Sequence, residues 1–130
     1  MCFVKSKGLN SPLCAETDIM VYKVFRKVSH FREPDYYTGP YQIDYVYYDM
    51  NGEYECEDFG EVKESGYTGF HSFKNFNDAV KFMDEKEVWA ANDSETFEIV
   101  PCFIPKGSLY YDGTFLYAEA YVSNKIKLNY

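Results

Sequence analysis

Ile19-Met20-Val21-Tyr22-Lys23-Val24-Phe25 carries the strongest architectural signal in the sequence. Ile19, Val21, Lys23 and Phe25 alternate with Met20, Tyr22 and Val24, and both sets are mostly apolar. A period of two marks a strand, and apolar residues on both faces mark one buried from two sides. Such a strand needs sheet neighbours and a covering layer, and the rest of the chain is searched for both.

Upstream, residues 1–17 mix Gly8, Asn10, Ser11 and Pro12 with few periodic apolar positions, which reads as an irregular N-terminal arm. Downstream, Pro34, Gly39 and Pro40 mark residues 30–40 as a loop, and Tyr41 to Tyr48 alternates as a second strand. Asn51-Gly52 is a hairpin signal because both positions tolerate positive φ. Glu53 to Phe59 then alternates, Tyr54 and Cys56 inward, Glu53, Glu55 and Glu57 outward. The covering layer is one helix near residues 76–87. Asn75 is its N-cap, Asp78 sits in its first turn, and Ala79, Phe82 and Met83 form its apolar stripe. Phe97 to Ile104 is a strand in which Pro101 predicts a sheet edge or a bulge. Pro105-Lys106-Gly107 predicts a tight turn, and Asp112-Gly113 a second hairpin. Phe115 to Val122 and Lys125 to Asn129 complete about seven strands with no βαβ alternation. The expectation is one α+β domain over residues 1–130, with a mostly antiparallel sheet and one main helix.

Composition narrows the function classes. The 130 residues are 46% hydrophobic and 26% charged, with a net charge of -8. That is a globular balance, and no apolar run approaches the roughly 18 residues of a membrane span. An acidic chain is a poor non-specific binder of nucleic acid, which requires Lys and Arg to displace counterions. Aromatic residues reach 20%, with 14 Tyr, which fits a sheet-rich fold and also a Tyr-lined binding face. Exposed aromatic faces further suggest a homo-oligomer. Cys2, Cys14, Cys56 and Cys102 lie far apart, and His30 and His71 are separated by 41 residues, so no zinc-ligand spacing exists. The start lacks the basic-then-apolar layout of a secretory signal, which points to reduced thiols and the cytoplasm.

Nucleotide-cradle and hydrolase motifs are absent, and neither a catalytic set nor a cofactor is predicted. Three segments remain as candidate sites. Gly69-Phe70-His71-Ser72-Phe73 precedes the helix; His71 is either a hydrogen-bonded structural residue or a contact for an anion. His71 and Ser72 are neighbours on a strand and point to opposite faces, so they do not make a nucleophile pair. Ile104-Pro105-Lys106-Gly107-Ser108, with Tyr110 behind it, is ordinary turn chemistry or a phosphate-holding turn. Glu119 is an outward strand residue or a catalytic acid. The block 49–64 holds seven acids against Lys63 alone. Its Glu53, Glu55 and Glu57 form either a solvated face or a surface for a basic protein partner.

Met1-Cys2-Phe3-Val4, the run Ala15 to Val24, Gly69 to Phe73, Ile104 to Tyr111 and Val122 to Leu128 resemble a group of small proteins from bacteriophages, prophages and gut Bacteroides-type bacteria. The resemblance covers under half the chain. It implies a phage or mobile-element origin, hence action in a bacterial host cytoplasm, and no mechanism. A fainter similarity is to ADP-ribosyltransferase-like folds, in the order Tyr22, His71-Ser72, Glu119. This chain departs from them: the first motif has no Arg, and no Ser-x-Ser, E-x-E or Q-x-E follows. The expected function is a phage-type accessory protein that acts by binding, in counter-defence. It would inhibit a host protein or sequester a small anionic, nucleotide-like ligand. Tyr22, Lys23, His71, Ser72, Lys106, Ser108, Tyr110 and Glu119 are its candidate ligand contacts. The alternatives are an enzyme using Tyr22, His71 and Glu119, and a minor virion component.

Overall fold

The two-sided strand lies in the interior of the sheet. The structure is a computed structural model that describes residues 4–5, 11–28, 36–38, 52–57, 59–60, 62–63, 66–88, 95–115 and 118–128. Twelve strands and one helix follow in chain order: β1 (Val4–Lys5), β2 (Leu13–Cys14), β3 (Ile19–Val28), β4 (Tyr36–Thr38), β5 (Glu53–Glu55), β6 (Val62–Lys63), β7 (Gly66–Tyr67), β8 (Phe70–Phe73), α1 (Phe76–Val88), β9 (Glu95–Ile104), β10 (Leu109–Phe115), β11 (Ala118–Ser123) and β12 (Lys125–Leu128). Ten strands form one sheet in the order β1-β10-β11-β8-β3-β9-β12-β5, with β2 also on β10 and β4 also on β3; β6 and β7 pair separately. Every pairing is antiparallel, as the absence of βαβ units requires. The molecule is one α+β domain. The strand count exceeds the expected seven because six of the strands are only two or three residues long. Pieces that short carry no readable periodicity.

The longest ladder joins β3 to β9, from Ile19↔Ile104 to Val28↔Glu95. The other edge of β3 is shared: β8 pairs at Tyr22↔Phe73 and β4 pairs at residues 26–28. The path β11-β8-β3-β9-β12 returns on itself, because only Asn124 separates β11 from β12 in the chain. The sheet therefore curls back. Two apolar clusters result, one on each face. On the helix face, Val24, Phe73, Phe97, Phe115, Ala120 and Val122 pack with Ala79 and Phe82 of α1. On the far face, Val21, Phe25, Val100, Cys102, Ile104, Tyr121, Ile126 and Leu128 pack together. The predicted stripe is the one used: Ala79 and Phe82 are buried. Asn75 caps α1 through its carbonyl, which accepts from Ala79 N at 3.2 Å.

Four expectations need correction. The arm 1–17 contains two short strands on β10, and Ala15 is buried and bonded to Ser108 and to Gly107. Within the expected loop 30–40, Tyr36–Thr38 folds back on β3. Pro101 makes no bulge: the β3–β9 register runs through it one residue for one. It lies inside β9 opposite Tyr22, and the described β12 ladder stops one residue short of it, at Cys102. Asp112-Gly113 is not a turn: β10 runs straight through it, pairing Asp112 with Tyr121 and Gly113 with Ala120. Turn chemistry permits a reversal but does not force one when sheet neighbours pair on both sides, and Gly113 is paired to Lys5 as well. The strand expected at 41–48 and the turn residue Asn51 lie outside the described residues; β5 follows them, paired to β12.

Candidate functional site

Lys23 is the least expected side chain in the molecule. Period two places it on the far face between Val21 and Phe25, both fully buried. It is itself only 8% exposed. Its ammonium donates one hydrogen bond, at 2.8 Å, to the carbonyl oxygen of His71 on β8. It also lies 5.6 Å from the centre of the Phe25 ring, a cation–π distance. Among the described residues no carboxylate pairs with it. Burial pushes the amine down to about 8, and the nearby Cys102 pulls the other way.

Cys102 does not supply the missing charge. Burial raises its thiol to about 12, against the effect of Lys23, so it stays neutral, donating to the Val100 carbonyl at 3.3 Å. Glu98 shares this face of β9, but it sits opposite Phe25, and Lys23 faces Val100. His71 contributes only its backbone to Lys23. Its ring lies on the helix face, 6.1 Å from Phe115. Burial, then the Lys23 charge, holds its imidazole down at about 4 against the hydrogen bond it donates to the Gly69 backbone carbonyl, so it is neutral at physiological pH.

Ser72 follows His71 and turns to the far face. It pairs directly with Tyr121 of β11. One antiparallel step from Tyr22↔Phe73 puts it across from Lys23 on β3. Its hydroxyl is buried without a hydrogen-bond partner. The carbonyl that Lys23 grips belongs to the peptide bond leading into Ser72.

Beyond Tyr121, the same face becomes polar. Tyr110 meets Tyr121 edge to face, with ring centres 5.4 Å apart. Lys74 lies 5.2 Å above the Tyr121 ring. Partial burial lowers the Lys74 amine, but its bond to Tyr121 and the charges of Asp112 and Glu119 outweigh that and raise it. Burial raises the Tyr110 phenol, helped by Tyr121, Asp112 and Glu16. Glu119 is exposed, and its carboxylate accepts from Asn75 Nδ2 at 3.4 Å.

The other candidates stay apart. Tyr22 faces the helix and meets Phe76 edge to face at 5.5 Å. Tyr22 and the His71 ring are thus on one face, with Glu119 on the other. Lys106 is exposed, and its backbone N–H is taken by Asp18 Oδ1 at 2.8 Å. The turn closes through Ser108 N and Pro105 O at 3.0 Å, with Gly107 at φ +88°. Pro105 is therefore its first residue, not its second, and Gly107 takes the position that needs positive φ. The Ser108 hydroxyl is fully buried, away from the exposed Lys106 side chain. The turn thus already holds a carboxylate, that of Asp18, on its backbone. Glu53 and Glu55 on β5 lie opposite Lys127 and Lys125 of β12, so the register itself opposes their charge. Glu57 is exposed just past β5.

Among the described residues, no three His, Cys, Asp or Glu side chains are grouped to hold a metal, and no helix is long and apolar enough to cross a membrane. Tyr121 is the neighbour that sequence reading missed; its place beside Ser72 depends on the β8–β11 register, which no local motif encodes. Compared with family models, curated proteins and solved structures, the chain finds no match.

Proposed function

We propose that this chain works by binding a small anionic, nucleotide-like ligand, as a phage-type counter-defence protein acting in the host cytoplasm. The observation that carries the reading is the Lys23 ammonium, buried on the far face with, among the described residues, the His71 carbonyl as its one acceptor. A buried charge without a counter-charge is costly, and proteins keep such groups chiefly where something pairs with them. Tyr121 and Tyr110, two and three strands from Lys23 on the same face, add aromatic side chains of the type that contacts nucleobases, the half-buried Tyr110 being the more open of the two. The enzymatic alternative has less support, because Glu119 is across the sheet from Tyr22 and the His71 ring. Inhibition of a host protein through Glu53, Glu55 and Glu57 is weakened by the lysines opposite the first two.

The test is incubation with cyclic nucleotides and with NAD, followed by mass spectrometry of the bound and free fractions. The binding reading expects unchanged nucleotide carried by the protein. Turnover that Glu119→Gln abolishes would establish the enzyme instead.

A further inference from the structure

We propose that Lys23 and Ser72 form a subsite for a tetrahedral oxyanion of the phosphate or sulfate class. The inference deepens the binding reading and rests on it.

Three observations converge on the site. Lys23 has three donor protons and gives one to the His71 carbonyl at 2.8 Å. Ser72 is 2% exposed, and its hydroxyl has no hydrogen-bond partner. The two residues stand on adjacent strands, on the same face and at the same level, joined through the His71–Ser72 peptide. Orphaned donors beside a buried cation call for an acceptor that also carries negative charge. A tetrahedral oxyanion supplies several acceptor oxygens in one compact group. One oxygen takes the ammonium and a second takes the hydroxyl, while the existing bond to His71 holds Lys23 in place.

The surroundings agree. Among the described residues no carboxylate pairs with the cation: Cys102 is a neutral thiol, His71 presents its carbonyl, and Glu98 is one pair further along β9. Val21, Phe25 and Val100 give the pair apolar neighbours on this face, which strengthens any ion pair formed there.

The experiment follows the Lys23 amine of the full chain by lysine-side-chain NMR across pH, in chloride, acetate, sulfate and inorganic phosphate. Phosphate and sulfate are expected to move the Lys23 titration midpoint up by about one to three pH units, as an ion pair does. Chloride and acetate are expected to leave it in place. Ser72→Ala should halve or abolish the response with the fold intact, and Lys23→Met should remove the accompanying rise in melting temperature. A Lys23 midpoint indifferent to phosphate and sulfate overturns the oxyanion subsite. Retention of a nucleotide is measured separately, so that result would leave the binding reading standing. A response equal in acetate shows a site for any anion and contradicts the tetrahedral assignment.

Discussion

A lysine surrounded by Val21, Phe25 and Val100 costs the fold free energy whenever it is charged. Its folded midpoint of about 8 lies below the ordinary 10.5, so the unfolded chain binds more protons between those values and stability rises with pH there. Below pH 8 the whole penalty is present. Lys23→Met keeps the volume and drops the charge, so it should stabilise the ligand-free protein by about 1–3 kcal/mol at pH 7. Denaturant melts of both chains should show the gap shrinking above pH 8; a gap independent of pH would mean the amine is solvated in the native state. His71 works in a lower window. Its imidazole falls from 6.5 to about 4 on folding, so stability is full above pH 6.5 and is lost as pH falls toward 4. From pH 7 to pH 5 the loss should reach about 2 kcal/mol at most. His71→Leu should flatten that part of the stability profile, leaving only the carboxylate titrations lower down.

At the level of elements, β8 and β11 are held by a close approach that only glycine allows. A methyl group on Gly69 would sit 2.6 Å from Val122 Cγ1 and 2.9 Å from the Ser123 carbonyl, on a backbone with φ +151°. Gly69→Ala should therefore cost about 2 kcal/mol or more and loosen the β8–β11 ladder, read as faster amide exchange along β8. The β5–β12 edge carries a charge prediction. Glu53→Lys with Glu55→Lys sets like charges opposite Lys127 and Lys125 and should cost about 0.4–2 kcal/mol together, less at high salt. Gln at both positions should leave the fold intact; equal melting of the Lys and Gln pairs would show that the register contributes nothing. These elements also show how far the sequence could be read. β3 and α1 were legible because each has a long apolar repeat, and Lys23 was visible as the break in one. Asp112-Gly113 misled because its turn propensity is local, whereas β1 and β11 hold it extended from both sides. The pairing of Ser72 with Lys23 and Tyr121 could not be read at all, since it depends on strands from three distant parts of the chain.

At the scale of the whole molecule, the curled sheet gives the chain two unlike faces. One is closed by α1 over an aromatic core in which Phe73, Phe82 and Phe115 meet at ring distances of 5.3–6.1 Å. The other buries a cation in an apolar cluster that Tyr110 and Tyr121 border. A fold that needed only stability would fill position 23 with an apolar residue like its neighbours, and the proposed anion binding gives the lysine there a purpose. The most direct test is to incubate the purified chain and Lys23→Met with a bacterial small-molecule extract, remove unbound material, denature, and weigh what is released. The account predicts an anionic small molecule released from the native chain and absent from Lys23→Met. The same molecule released from both, or none from either, would contradict it.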